Sequence, residues 1–111
     1  SSKEILELQL LETKLLNNLE INNSIQSSLE NLNNFSHDEP SVASLINQSI
    51  KNLNRTADFD LKIQKFRENL LEIQTYVEDL IFSLNSYIQE IDDNEFHLSD
   101  IQKRLLTFIV N

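Results

Sequence analysis

Apolar residues recur at alternating steps of four and three along the second half of this chain. The ten residues that follow the pattern are Phe59, Ile63, Phe66, Leu70, Ile73, Val77, Leu80, Leu84, Tyr87 and Ile91. A helix turns once every ~3.6 residues, so a repeat averaging about 3.5 keeps one narrow stripe facing a neighbouring helix. The spacing therefore predicts a long helix with a coiled-coil seam, which is a scaffold and an interaction surface.

The composition favours an all-helical chain. Glycine is absent from the 111 residues and Pro40 is the only proline, so the residues that tight strand turns require are missing. No apolar run approaches the ~18 residues of a membrane span. The length is enough for one domain. We therefore expect an all-α fold, an antiparallel coiled coil or helical bundle of three to four helices, two of them long, in a single segment over residues 1–111.

The first helix is predicted over about residues 3–34. One heptad frame holds the apolar residues Leu8, Leu11, Leu15, Ile25, Leu29 and Leu32. Asn18 and Asn22 occupy the same frame, where a buried amide fixes register at a cost in stability. Alternatively, Leu16, Leu19 and Ile21 take over locally and rotate the seam until both amides face water.

A loop is predicted over residues 35–41, and a short second helix over about residues 40–54. Pro40 suits the first turn of that helix, because its missing N–H would be unpaired there anyway. The face of this helix carries Val42, Leu45, Ile46, Ser49, Ile50 and Leu53. A break over residues 55–58 then leads to the long helix, with Asp58 as its expected N-cap.

A second break is predicted at residues 91–95, where polar residues of poor helix propensity follow one another. Asn94 would cap a fourth helix that opens with Glu95. Leu98, Ile101 and further apolar residues continue the heptad phase of the preceding helix. An unbroken helix of about 50 residues is therefore the competing interpretation.

Consecutive helices joined by short loops pack beside one another. We expect the first and the long helix to lie antiparallel or side by side, with the short helix on a third side. The predicted core consists of Leu8, Leu15, Leu29, Leu45, Ile46, Phe66, Ile73, Val77, Leu80 and Leu84.

The sequence offers no enzyme motif, so no catalytic, cofactor-binding, metal-binding or nucleic-acid-binding residue is predicted. A phosphate-binding loop needs glycine, and metal ligation by His37 and His97 would lack a third ligand at close spacing. Adjacent carboxylates such as Asp92 and Asp93 point to different sides of a helix. The net charge of -9 disfavours direct DNA or membrane contact, and the basic residues at 62, 65 and 67 favour surface ion pairing over phosphate binding.

The order of several residues resembles the coiled-coil arm of the bacterial DNA-repair RecN family. Towards the end of the chain the matching residues are Tyr87, Asp92, Leu98, Ile101, Arg104 and Leu105, and near its start they are Glu12, Leu16, Asn18, Glu20 and Ile21. The helix that begins at Val42 and the aspartate Asp60 also fit the order of elements in that family. Glu95, Asn94 and His97 depart from its proline, aspartate and arginine.

The resemblance implies a parent protein similar to the structural-maintenance-of-chromosomes ATPases, with ATP and Mg²⁺ bound in head domains formed from both chain ends. This chain would be a segment excised from between the heads, since it starts without methionine inside a helical pattern. It would be a non-catalytic arm without a cofactor or small-molecule substrate of its own. Its partners would be other helices of the arm or a second copy, and DNA only through the full-length cytoplasmic, nucleoid-associated protein.

The alternative function is a free-standing helical adaptor, a spectrin-like or tethering-type bundle whose groove binds a partner helix. Such an adaptor would have no ATPase heads on the flanking chain, so the flanking sequence separates the two hypotheses.

Overall fold

The computed structural model describes residues 1–34 and 38–110. Within them the chain forms three helices, α1 (Ser2–Leu32), α2 (Val42–Ala57) and α3 (Leu61–Val110). No strand occurs in either described range. The predicted all-α class with two long helices is confirmed. The predicted loop at 35–41 falls partly on residues 35–37, which lie outside the described residues.

The three helices divide into two compact units. The first unit comprises residues 1–25 and residues 86–110 of α3, and the second comprises residues 26–85. Each unit is described by itself below.

In the first unit, α1 and the last part of α3 run antiparallel, because Lys3 and Glu7 line one groove together with Ile101 and Leu105. Leu11, Asn18 and Ile25 are buried on α1, and Ile91 is buried on α3. Leu8, Leu15 and Asn22 are half-buried between them. The heptad frame predicted for α1 is therefore the one that the helix buries.

Helix α3 continues without interruption through Asp92, Asp93 and Asn94. The predicted break at residues 91–95 is wrong, as is the N-cap role of Asn94, and the competing unbroken helix is the one that forms. The three polar residues are exposed, and their low propensity costs only a few tenths of a kcal/mol each. Ile91 is buried and Leu98 half-buried on the same stripe, and packing on both sides of the polar run outweighs that cost.

In the second unit, α2 and the first part of α3 form a helical hairpin. The Ser41 hydroxyl accepts a hydrogen bond from the backbone N–H of Ser44 at 3.2 Å and caps α2. Pro40 stands just before this cap and outside the helix, so its predicted place in the first turn is wrong. Helix α2 extends to Ala57, three residues beyond the predicted end.

Asp60, and not Asp58, caps the start of α3. Its Oδ1 accepts hydrogen bonds from the backbone N–H groups of Lys62 at 2.9 Å and Ile63 at 3.1 Å. The predicted N-cap Asp58 instead ends α2, where its N–H donates to the carbonyls of Arg55 and Thr56. Asp60 wins because a turn of only three residues, 58–60, separates the two helices.

Two hydrogen bonds set the register of the hairpin. Gln64 Nε2 donates to the Ala57 carbonyl oxygen at 2.6 Å, and Arg67 Nη1 donates to Asn54 Oδ1 at 3.4 Å. Advancing along α3 while retreating along α2 shows that the helices are antiparallel. Val42, at the start of α2, therefore lies at the level of Leu80.

The buried stripe of α3 differs from the predicted seam by one residue in every second position. Ile63, Leu70, Val77 and Leu84 are half-buried as the pattern requires. The alternate positions are filled by Arg67, Gln74, Ile81 and Ile88. Phe66, Ile73 and Leu80 are exposed to 55%, 47% and 47%, so their predicted place in the core is wrong, and so is that of Leu45 on α2.

The displacement has a physical reason. Apolar side chains cover more of the circumference of α3 than one seam uses, so two stripes compete for the contact with α2. The stripe through Arg67 lets its guanidinium reach Asn54, while the stripe through Phe66 stays at the surface. Ile46 remains half-buried on α2, where Ile50 and Ala57 form the interior with it.

Candidate interaction surfaces

The structure offers no cluster that suits metal chemistry. No three His, Asp or Glu side chains within residues 1–34 and 38–110 lie close enough to share a metal ion. His97 is exposed on α3, and His37 lies outside the described residues. The candidate features of this chain are therefore its surfaces.

Two asparagines lie in the seam of the first unit. Asn18 is only 4% exposed, whereas Leu16 and Leu19 are exposed. The alternative in which those leucines turn both amides to water is therefore wrong. Asn22 is half-buried, and its Oδ1 is covered without a hydrogen-bond partner among the described residues.

The level of Asn18 follows from the antiparallel pairing. Glu4 and Leu105 line one groove, and two heptads further along each helix stand Asn18 and Ile91. Ile91 is also 4% exposed, so these two side chains form the best covered level of the first unit. A polar amide there disfavours alignments that would leave it against an apolar side chain without a partner.

A shallow groove of about 440 Å³ runs between α1 and α3 in the same unit. Its floor is apolar, and its rim carries cations and carboxylates from both helices. The lining residues are Lys3, Glu4, Glu7, Ile101, Arg104, Leu105 and Phe108. A hydrogen bond from its own backbone amide lowers the pKa of the Glu4 carboxyl, so this rim keeps its mixed charge at neutral pH.

A second groove, of about 420 Å³, follows α3 alone. Phe96 is strongly exposed there among Asp92, Glu95 and Asp100. Asp100 is paired with Arg104 at 3.0 Å between its Oδ2 and the guanidinium Nη2. The groove is therefore an acidic helix face with one aromatic ring.

The second unit carries an exposed apolar surface that sequence reasoning missed, which we call the hairpin face. It consists of Val42 and Leu45 on α2 and of Phe66, Ile73, Tyr76 and Leu80 on α3. Phe66, Ile73 and Leu80 are seven residues apart, and Tyr76 lies between the last two. The signal that could have found this face was the presence of Ile81 and Ile88 beside the predicted seam, because they supply a second apolar row.

Charge is segregated along the same hairpin. Residues 51–67 hold five of the nine cationic side chains of the chain and only two carboxylates. Residues 68–85 hold four carboxylates and no cation. Lys65 Nζ lies 3.9 Å from Glu68 Oε2, and Arg67 is held by Asn54, so both enter the surface pairing that the sequence favoured.

The residues that carry the family resemblance are spread over both helices of the first unit. Arg104 and Asp92 are exposed on α3, and Leu98, Ile101 and Leu105 are half-buried. Glu12, Leu16 and Glu20 are exposed on α1, where Asn18 is buried. These positions form no single site.

Comparison with known proteins identifies no relative. No family model matches the chain. No curated protein matches it, and no solved structure does either. None of the helices in the described residues is both long enough and apolar enough to cross a membrane.

Proposed function

We propose that this chain is a non-catalytic coiled-coil arm segment of a RecN-like ATPase that acts in recombinational repair of DNA double-strand breaks. The segment supplies reach and helix–helix contact surface. ATP and Mg²⁺ belong to the head domains of the parent protein, which would be cytoplasmic and associated with the nucleoid.

The observation that carries the proposal is the placement of the two helix ends in the first unit. Lys3 and Glu4 in the first turns of α1 share a groove with Leu105 and Phe108 at the end of α3. Chain that precedes α1 and chain that follows α3 would therefore leave from neighbouring points. An arm inserted between two halves of one head domain requires such an arrangement.

The interior of the first unit supports a structural role. Its buried side chains are aliphatic residues and one asparagine, a combination that fixes alignment between two helices. The described carboxylates and His97 form no metal-binding cluster. Functional specificity would then come from the surfaces of the arm and from the heads.

The test begins with the coding sequence on both sides of this segment. A glycine-rich phosphate-binding loop upstream, together with an acidic metal-binding strand and an ABC-type signature downstream, is the expected result. Stop and start codons close to both ends would overturn the proposal and favour a free-standing helical adaptor.

A second test addresses repair itself. Deleting residues 1–111 from the parent should leave ATP hydrolysis by the heads measurable and reduce survival after double-strand breaks. A parent that repairs breaks normally without the segment would overturn its assignment as a working arm.

A further inference from the structure

We propose that the hairpin face binds a second copy of this chain, with the two α3 helices antiparallel and the two-fold axis near Ile73. The inference rests on the second unit alone and does not depend on the assignment to an ATPase arm. The two hairpins would together form a four-helix bundle.

The apolar pattern of α3 is suited to a further helix. Phe66, Ile73 and Leu80 stand at a seven-residue spacing and are about half exposed, and Tyr76 is 74% exposed. A row of this kind is the half-seam of a coiled coil. Val42 and Leu45 lie at the levels of Leu80 and Tyr76 in the hairpin register, which extends the apolar surface onto α2.

The symmetry of the row fits a copy of itself. With the axis at Ile73, each Phe66 faces a Leu80 of the other copy, and the two Ile73 side chains meet at the centre. A two-fold interface of this type is self-complementary, because each residue meets its counterpart twice. Covering six such side chains in each copy removes on the order of 1,000 Å² from water, the lower end of the range for specific complexes.

Charge selects the second copy and its direction. The turn end of the hairpin, residues 51–67, is cationic, and residues 68–85 are anionic. Antiparallel pairing sets the cationic end of each copy along the anionic part of the other, with Lys65 close to the level of Asp79. A parallel pair would put like charges together, which disfavours that alternative.

Mass measurement over a range of concentrations tests the association. In light scattering coupled to gel filtration, the 111-residue chain should rise towards twice its 13.0 kDa mass from micromolar to near-millimolar concentration. Ile73→Glu should weaken the dimer at least about tenfold, because it puts two carboxylates at the centre of the interface. A chain that stays monomeric throughout would overturn the proposal.

Phe82→Glu is the matched control. Phe82 is 73% exposed and stands nine residues from Ile73, about 180° around the helix. It should dimerise like the unaltered chain. Equal weakening by both substitutions would place the contact elsewhere and overturn the assignment of the face. Circular dichroism checks that each variant keeps its helices.

The charge pair decides the matter even if Ile73→Glu fails to fold. Lys65→Glu and Asp79→Lys should each weaken the dimer several-fold, and the double variant should regain most of the loss. Additive losses, or no loss from either substitution, would reject the proposed alignment.

Cross-linking tests the direction of the helices, since the chain has no cysteine of its own. Ile73→Cys should be joined between copies by a short bismaleimide. Ser83→Cys should not, because ten residues from the axis on each side separate the two thiols by roughly 30 Å at about 1.5 Å per residue. Efficient cross-linking at position 83 would indicate parallel helices and contradict the model of the interface.

Discussion

The two units solve the problem of helix alignment in different ways. In the second unit, a three-residue turn joins α2 to α3, and the cap at Asp60 and the bond from Gln64 to Ala57 fix the register close to that turn. In the first unit, sixty residues separate residue 25 from residue 86, so no short loop constrains the pairing. Its register depends on the side chains in the seam, and a polar one, Asn18, is buried there.

The comparison teaches where a buried amide is useful. A short loop already excludes most misalignments, because the ends of the two helices are held together. Two segments that are distant in sequence lack that constraint, and a side chain that tolerates only one alignment takes its place. The following predictions are ordered from the largest expected effect to the smallest.

Ile91→Ala should lower the free energy of unfolding by about 3 kcal/mol, since it leaves a cavity at the best covered level of the first unit. Chemical denaturation measures the loss, and amide hydrogen exchange shows whether it is confined to residues 1–25 and 86–110. Phe96→Ala, at an exposed position five residues on, serves as the control and should cost less than about 0.5 kcal/mol. Similar losses in the two variants would contradict the burial of Ile91.

Ala57→Leu should destabilise the second unit by about 2 kcal/mol, because its site is only 1% exposed and additional methylenes overpack it. The same substitution should disturb the bond from Gln64 to the Ala57 carbonyl. Thr56→Leu, at the neighbouring exposed position, should be close to neutral in thermal denaturation. A neutral Ala57→Leu would show that α2 does not end against α3 as described.

Asp60→Ala should cost about 1 kcal/mol through loss of the cap on α3. Asp58→Ala is the sharper comparison, because its side chain is not the cap and the change should cost less. Urea titrations of both variants distinguish the two aspartates. A larger loss from Asp58→Ala would restore the cap that the sequence favoured.

Asn18→Leu should stabilise the chain, by less than about 1 kcal/mol, while it reduces the uniqueness of the pairing. Distances between spin labels placed on α1 and on the last part of α3 should then broaden. Asn17→Leu, an exposed neighbour, should leave the distance distribution narrow. A narrow distribution in both variants would mean that Asn18 does not set the register.

Much of this fold can be predicted from the sequence, because heptad spacing acts locally. The frame of α1 could be identified from Leu8, Leu11 and Leu15, whose spacing admits one narrow stripe. The unbroken course of α3 through Asp92 and Asn94 was harder, because local propensity and packing point in opposite directions there. Packing prevails when apolar residues such as Ile91 and Leu98 lie on both sides of the polar run.

The rotation of the α3 seam could not be predicted for a different reason. Phe66 and Ile73 are more apolar than Arg67 and Gln74, so hydrophobicity alone places the wrong row inside. The choice depends on a partner helix that offers Asn54 to Arg67, and this information is not present in α3 itself. The surface left outside was therefore also missed.

Tyr76 on the hairpin face has a spectroscopic consequence. The chain has two tyrosines and no tryptophan, with Tyr76 in the second unit and Tyr87 in the first. Removing either ring by substitution with phenylalanine leaves one intrinsic fluorophore that reports on one unit. The unfolding of each unit can then be followed separately in ultraviolet light, without attaching a dye.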